Sequence, residues 1–117
     1  MQTIMQLQKS INYVSVAFSK KSATKFEMFE MINTIGIELT RSNKSGLLLD
    51  LIEVINPDEF LETLKAGLRN SFPMLPHLNL AYTPCKNTHQ KEFDQGFITK
   101  CFSEKGMAQE WLNARVN

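Results

Sequence analysis

Residues 47–55 constrain the fold more than any other part of the chain. This run is almost entirely apolar, broken only by Asp50 and Glu53, and such a run is typical of a strand covered on both faces by helices. Residues 56–59 follow as a helix start, with an asparagine that can cap, a proline at the first helical position and two acids at the positive end of the helix dipole. A buried strand that leads directly into a helix indicates the α/β class.

Two strands and a helix are predicted before this run. Residues 4–8 and 11–18 are predicted as strands joined by a short turn, and side chains in the second alternate between two faces. Thr24 and Glu27 have the spacing of a capping box, so a helix is predicted from there to the turn signal at residues 43–46. Its apolar stripe recurs at helical spacing in Phe26, Phe29, Ile32, Gly36 and Leu39.

The rest of the chain repeats the alternation of strands and helices. The helix at residues 57–72 carries an apolar stripe, and further elements are expected as strands at 78–83 and 97–102, a short helix at 88–96 and a last helix after Ser103. The order ββαβαβαβα predicts a single α/β domain over residues 1–117. We expect a mixed, mostly parallel sheet of about five strands flanked by helices.

The charge balance argues against a nucleic-acid partner. Thirteen basic and twelve acidic residues give a net charge of +1, without the clustered basic face that nucleic acid requires. The hydrophobic fraction of 43% is ordinary for a folded domain, and no segment approaches the roughly 20 apolar residues that span a bilayer. We therefore expect a soluble folded domain.

The cysteines and the first residues bear on location. Cys85 and Cys101 are not spaced as a CxxC pair, and residues 1–10 lack the apolar core of a signal peptide. Both cysteines are therefore expected to be reduced thiols. The expected location is the cytoplasm, with peripheral contact at the inner membrane as the alternative.

No arrangement of residues predicts catalysis, a metal site or a cofactor. Asp50 and Glu53 point to opposite faces of a strand, so we interpret them as a backbone-bonding aspartate and a rim glutamate instead of an acid–base pair. His77 and His89 lack neighbours at metal-ligand spacing, and Cys85 has no assignable histidine partner. Because nucleotide-binding and hydrolase motifs are also absent, the chain is not expected to be an enzyme.

Two short motifs resemble the STAS family, the fold of anti-sigma-factor antagonists. Leu49-Asp50-Leu51 followed by Val54 is similar to the central strand of STAS domains. The closing pattern is similar to the ending of the SpoIIAA-like bacterial proteins, in Phe97, Phe102, Ala108, Trp111 and Leu112. Together with the element order, the resemblance covers residues 13–113.

The resemblance implies a domain that binds partners and does not catalyse. Anti-sigma antagonists carry a phosphorylatable serine in a D-S-S-G stretch past the strand aspartate, and residues 58–61 occupy that place here without any hydroxyl group. A serine phosphoswitch is therefore not expected, and Glu59 supplies a fixed negative charge at its position. Asp58 and Glu59 are the expected partner-facing residues.

An alternative comes from the fold-level likeness of SpoIIAA-like proteins to the lipid-carrying Sec14 domains. The amphipathic 57–72 helix could be a lid over an apolar pocket, or a face that contacts anionic lipid. The ordinary interpretation is a helix packed on the sheet with its two cations in water. The ligand-facing or membrane-facing residues would be Phe60, Leu61, Leu64, Lys65, Leu68, Arg69, Phe72 and Phe93.

Two hypotheses follow from the sequence. The first is a regulatory domain that binds an unknown protein partner, alone or as a homodimer. It predicts a filled core and an exposed patch near Asp58 and Glu59. The second is a carrier of a small apolar molecule or lipid, which predicts an apolar cavity between the sheet and the helices at 57–72 and 88–96.

Overall fold

The computed structural model describes residues 5–85 and 92–115 of the chain. Within these two ranges, six strands and three helices follow one another as β1 (Met5–Lys9), β2 (Val14–Phe18), α1 (Lys25–Ser42), β3 (Gly46–Asp50), α2 (Pro57–Ser71), β4 (Leu78–Thr83), β5 (Glu92–Asp94), β6 (Phe97–Cys101) and α3 (Lys105–Ala114). The predicted α/β class is confirmed.

The strands form one mixed sheet in the order β1-β2-β3-β4-β6-β5. The three central pairings are parallel, whereas the outer pairs β1–β2 and β5–β6 are antiparallel. The sheet therefore has six strands where about five were expected. Its parallel part is confined to the centre of the sheet.

The helices cover both faces of the sheet. Helices α1 and α2 pack against each other, and α3 packs on β3 and β4. The larger apolar cluster joins α1 and α2 to the sheet, while a smaller cluster around Leu48, Ala81 and Leu112 joins the sheet to α3. Burial on both faces explains why β3 reads as a continuous apolar run.

Three predicted elements differ in the structure. The second strand begins at Val14 and not at residue 11. Strand β3 ends at Asp50, not at residue 55, because residues 51–56 turn away to begin α2. The helix expected at 88–96 is wrong within the described residues, since Glu92–Asp94 pairs with β6 as a strand. Gln95 and Gly96 then form the hairpin turn with φ values of 54° and 83°, the left-handed conformation that a tight hairpin requires.

The capping box of α1 is confirmed. The backbone amide of Glu27 donates to Thr24 Oγ1 at 3.1 Å, and the amide of Thr24 donates to Glu27 Oε1 at 3.0 Å. Lys20 Nζ also donates to Glu27 Oε2 at 2.8 Å. These bonds lower the pKa of Glu27, with the Lys20 bond as the largest cause. They set the point where α1 begins.

The cysteines are not the free thiols that their spacing predicted. Cys85, just after β4, forms a disulfide with Cys101, the last residue of β6, and their Cα atoms lie 5.9 Å apart. Strands β4 and β6 are neighbours, with Tyr82 in register with Cys101. The pairing of these strands brings the two cysteines within bonding reach. Their spacing of 16 residues did not indicate this bond.

Candidate functional site

Most of the apolar residues proposed to face a ligand or membrane lie in the core. Phe60, Leu61, Leu64 and Leu68 are all buried, and they pack in the cluster that joins α1 and α2 to the sheet. The stripe of α2 therefore faces the sheet, as the ordinary interpretation of this helix predicted, and not a membrane surface. The same side chains fill the space between α2 and the sheet where a carrier cavity was expected.

Lys65 is buried as well, with only 3% of its surface exposed. Its Nζ atom lies 2.9 Å from Glu62 Oε2 and 3.1 Å from Asp94 Oδ2 on β5. Burial of the ammonium lowers the pKa of Lys65, but the hydrogen bonds to the two carboxylates outweigh burial and the pKa is raised. Lys65 therefore ties α2 to the β5–β6 hairpin, where it is unavailable to a lipid headgroup.

The Lys65–Asp94 pair makes stability dependent on pH. The hydrogen bond from Lys65 lowers the pKa of Asp94, so this carboxylate stabilises the fold above about pH 4 and loses its effect as the pH falls through its lowered pKa. We expect Asp94→Asn to be less stable than the wild type at pH 7, and the difference in stability to shrink as the pH falls below about 4. Urea unfolding across this range measures the difference.

A loop carboxylate is the control for this pH dependence. Glu53 is exposed, and Glu53→Gln should leave the unfolding free energy unchanged across the same range. A difference between Asp94→Asn and the wild type that persisted undiminished at the lowest pH would contradict the role of the ion pair.

Arg69 and Phe72 hold the end of α2 in place. Arg69 Nη1 donates to the carbonyl of Leu75 at 3.1 Å, and its guanidinium carbon lies 5.2 Å from the centre of the Phe97 ring. Phe72 is half-buried, and its ring covers Gly36 of α1. Neither side chain is presented to a membrane as proposed, because both are engaged with the fold.

Phe93 is exposed, but on a strand instead of the predicted helix. It lies on β5, and its ring centre is 5.2 Å from that of His77 in an edge-on contact. Met74 is also apolar and exposed.

His89, considered as a metal ligand, lies outside the described residues. Among those that are described, no group of three potential metal ligands occurs.

Asp58 and Glu59 are exposed in the first turn of α2, as a partner-facing role requires. Pro57 occupies the first turn as predicted, but the side chain of Asn56 makes no capping hydrogen bond.

Asp50, at the end of β3, accepts a hydrogen bond from the backbone amide of Ile52 at 3.2 Å. This bond to backbone agrees with the predicted structural role of Asp50.

An open apolar groove lies between α1 and α2. It has a volume of about 690 Å³. Its apolar lining comes from both helices, from the β2–α1 loop and from the β3–α2 loop, in Ala23, Met28, Phe29, Ile32, Val54, Ile55 and Phe60. Lys21, Lys25 and Glu59 contribute charged groups to the lining. We call this surface the α1–α2 groove.

The carboxyl end of the parallel sheet builds one end of the groove. Strands β2 and β3 are paired in parallel, so the loops that follow them emerge at the same edge. The backbone amide of Ile55 donates to the carbonyl of Lys21 at 2.9 Å and holds the two loops together. Open α/β sheets place their ligands at this edge, outside the carboxyl ends of the strands.

Two members of the apolar stripe predicted for α1 lie outside the core. Phe26 and Phe29 continue the spacing of Ile32, yet they are 70% and 59% exposed. The side of α1 that faces the sheet instead runs through Met28, Met31, Ile35 and Leu39, which leaves Phe29 at its margin and Phe26 beyond it. The sequence contained one sign of this exposure, because the apolar residues of α1 spread over more than one face of the helix.

Ile55 was missed for a different reason. A strand reaching residue 55 would have buried it, but β3 ends five residues earlier and Ile55 is 65% exposed in the loop. Ile52, in the same loop, is also exposed. Large apolar side chains in water from two adjacent segments are the signal of a binding surface.

None of the described helices is long and apolar enough to cross a membrane. Comparison with family models, with curated proteins and with solved structures finds no match for this chain.

Proposed function

We propose that this chain is a non-enzymatic protein-binding domain and that the α1–α2 groove binds an amphipathic helix of the partner. The observation that carries the proposal is the exposure of Phe29 and Ile55 in the lining of an apolar groove. Apolar grooves of this kind bind helices through anchors at positions i, i+3 or i+4, and i+7.

The length of the groove suits a short helix. Its lining along α2 runs from Glu59 to Ser71, a rise of about 18 Å, which equals roughly three helical turns. Three turns present two or three apolar anchors on one face. Phe29 on α1 and Ile55 in the loop would contact those anchors.

Charges beside the apolar lining favour a partner with acidic residues near one end. Lys21 and Lys25 line the groove near the first turn of α1, and the N-termini of α1 and α2 add positive dipole ends there. Glu59 lies on the opposite wall, so a basic residue of the partner would pair on that side. Such pairs contribute more to orientation and association rate than to affinity.

The resemblance to STAS domains supports the same surface. The place of the phosphorylatable serine in that family falls on residues 58–61, and both Glu59 and Phe60 line the groove. A regulatory role without a serine phosphoswitch is the form of the proposal that follows from the resemblance. Glu59 supplies a fixed negative charge at the place where STAS domains would gain one by phosphorylation of a serine.

A selected peptide tests the proposal. Phage display against the wild-type protein should enrich peptides with apolar residues at helical spacing, and calorimetry then gives the dissociation constant of the best of them. Replacing Phe29 or Ile55 with asparagine should raise that constant about tenfold or more, because buried aromatic and aliphatic anchors supply most of such binding energy.

Met74→Asn is the matched control, since Met74 is exposed but does not line the groove. It should leave the affinity unchanged. Binding that survives both Phe29→Asn and Ile55→Asn would remove the groove from the proposal.

Size-exclusion chromatography with light scattering would show whether a second copy of the chain occupies the groove instead, as a homodimer that the same variants dissociate.

The alternative occupant is a small apolar molecule or lipid in the same groove. The volume of about 690 Å³ lies within the range typical of small-molecule sites, which is the observation that favours it. Native mass spectrometry of protein purified without detergent should then show an added mass that disappears on organic extraction. If every preparation shows only the mass of the unliganded protein, the carrier alternative is ruled out and the helix-binding proposal is the one that remains.

A further inference from the structure

A second pocket, of about 710 Å³, lies at the opposite edge of the sheet, where the parallel strands begin. Its walls come from the β1–β2 turn, the end of α1, the segment before β4 and the end of α3. These segments are distant in sequence, so only the fold brings them together. No sequence motif pointed to this place.

The charged groups in this pocket all have one sign. Lys44 and Arg115 line it, with His77 as a further polar side chain, and no aspartate or glutamate is among the described lining residues. The chain as a whole has nearly equal numbers of acids and bases, so a pocket with cations alone departs from its composition. Cations from two segments that are distant in sequence are what an anionic group requires.

The two cations in the lining, Lys44 and Arg115, donate to neutral acceptors and not to carboxylates. Lys44 Nζ donates to the backbone carbonyl of Ile11 at 2.8 Å, and Arg115 Nε donates to Asn79 Oδ1 at 3.0 Å. Within residues 5–85 and 92–115, neither side chain forms an ion pair. These bonds orient Lys44 and Arg115, which retain further N–H donors.

The pocket also offers hydrogen-bond acceptors. Helices α1 and α3 end beside it, at Ser42 and Ala114. The last carbonyls of a helix lack partners within that helix and form the negative end of its dipole, so they attract hydroxyl donors and not the anionic group. Asn12, Asn43 and Asn79 add side-chain amides. A simple ion would leave most of this lining unused, whereas hydroxyl groups would donate to it.

We propose that this pocket binds a small anionic molecule that also carries hydroxyl groups, of the sugar-phosphate class. The phosphate lies against Lys44 and Arg115, and the hydroxyls bond to the amides and the helix ends. The site is separate from the α1–α2 groove, so this proposal does not depend on whether the groove binds a protein partner.

Nuclear magnetic resonance at low ionic strength tests the site with three probes: glucose 6-phosphate, inorganic phosphate and glucose. Glucose 6-phosphate should cause saturable shifts at the amides of residues 42–45 and Asn79, and should bind more tightly than phosphate. Glucose alone should cause none. Arg115→Gln should weaken the binding of glucose 6-phosphate about tenfold, the effect of one charged hydrogen bond.

Two further variants separate binding from folding and from diffuse charge. Asn43→Asp places a carboxylate in the pocket at a left-handed residue that aspartate tolerates, and it should also weaken binding about tenfold or more. Lys105→Gln removes one positive charge outside the lining and should have no effect. The proposal is overturned if no probe gives saturable shifts, or if Lys105→Gln weakens binding as much as Arg115→Gln. Equal affinity for phosphate and glucose 6-phosphate would overturn its hydroxyl part.

Discussion

Replacing Leu64 with alanine should lower the free energy of unfolding by about 2–5 kcal/mol. Leu64 lies in the middle of α2, is completely buried and packs in the cluster between α1, α2 and the sheet. The loss combines the transfer of its methyl groups into water with the cavity that alanine would leave. Domains of this kind are stable by only about 5–15 kcal/mol, so a large part of the total would disappear.

Urea unfolding followed by circular dichroism measures this loss, and Ile52→Ala is its control. Ile52 is an apolar residue of similar size but is 69% exposed, so its truncation should change stability by no more than about 0.5 kcal/mol. The pair also tests whether the apolar stripe of α2 packs on the sheet. A Leu64→Ala protein of undiminished stability would mean that this stripe faces solvent.

Replacing Gly36 with alanine should destabilise the protein, whereas the same change at Gly106 should stabilise it. Both glycines lie within helices, where alanine is favoured by roughly 0.5–1 kcal/mol because it restricts the unfolded chain more. A Cβ atom at Gly106 would meet nothing within 4 Å, but one at Gly36 would overlap the ring of Phe72. The ring would have to leave its position between α1 and the end of α2.

A second background isolates this clash. In a Phe72→Ala protein the ring is absent, so Gly36→Ala should become stabilising like Gly106→Ala. The effect of Gly36→Ala in the two backgrounds should differ by about 1–3 kcal/mol, the usual cost of overpacking. Equal effects in both backgrounds would show that Phe72 does not set the distance between the helices.

The elements predicted most accurately are those specified by local chemistry. Thr24 and Glu27 predicted the capping box, and Pro57 predicted the start of α2. The alternation in residues 78–83 predicted β4 with the bounds that the structure shows. In each case the determining contacts lie within a few residues of one another, so the sequence pattern contains them.

The errors have a common cause in contacts between distant segments. Residues 92–94 form a strand because β6 is beside them, and Lys65 is buried because Asp94 lies opposite it. Cys85 and Cys101 meet because β4 and β6 are neighbours. Pattern and propensity carry little information about such neighbours.

The sequence by itself determined the α/β class, the position of the central strand and the amphipathic character of α2, because each depends on local periodicity and capping. Only the tertiary structure decided which apolar side chains remain in water. Phe29 and Leu64 look alike in their helical patterns, but one borders the α1–α2 groove and the other fills the core. That difference depends on how α1 and α2 pack against each other and the sheet, a property of the assembled fold that neither helix contains alone.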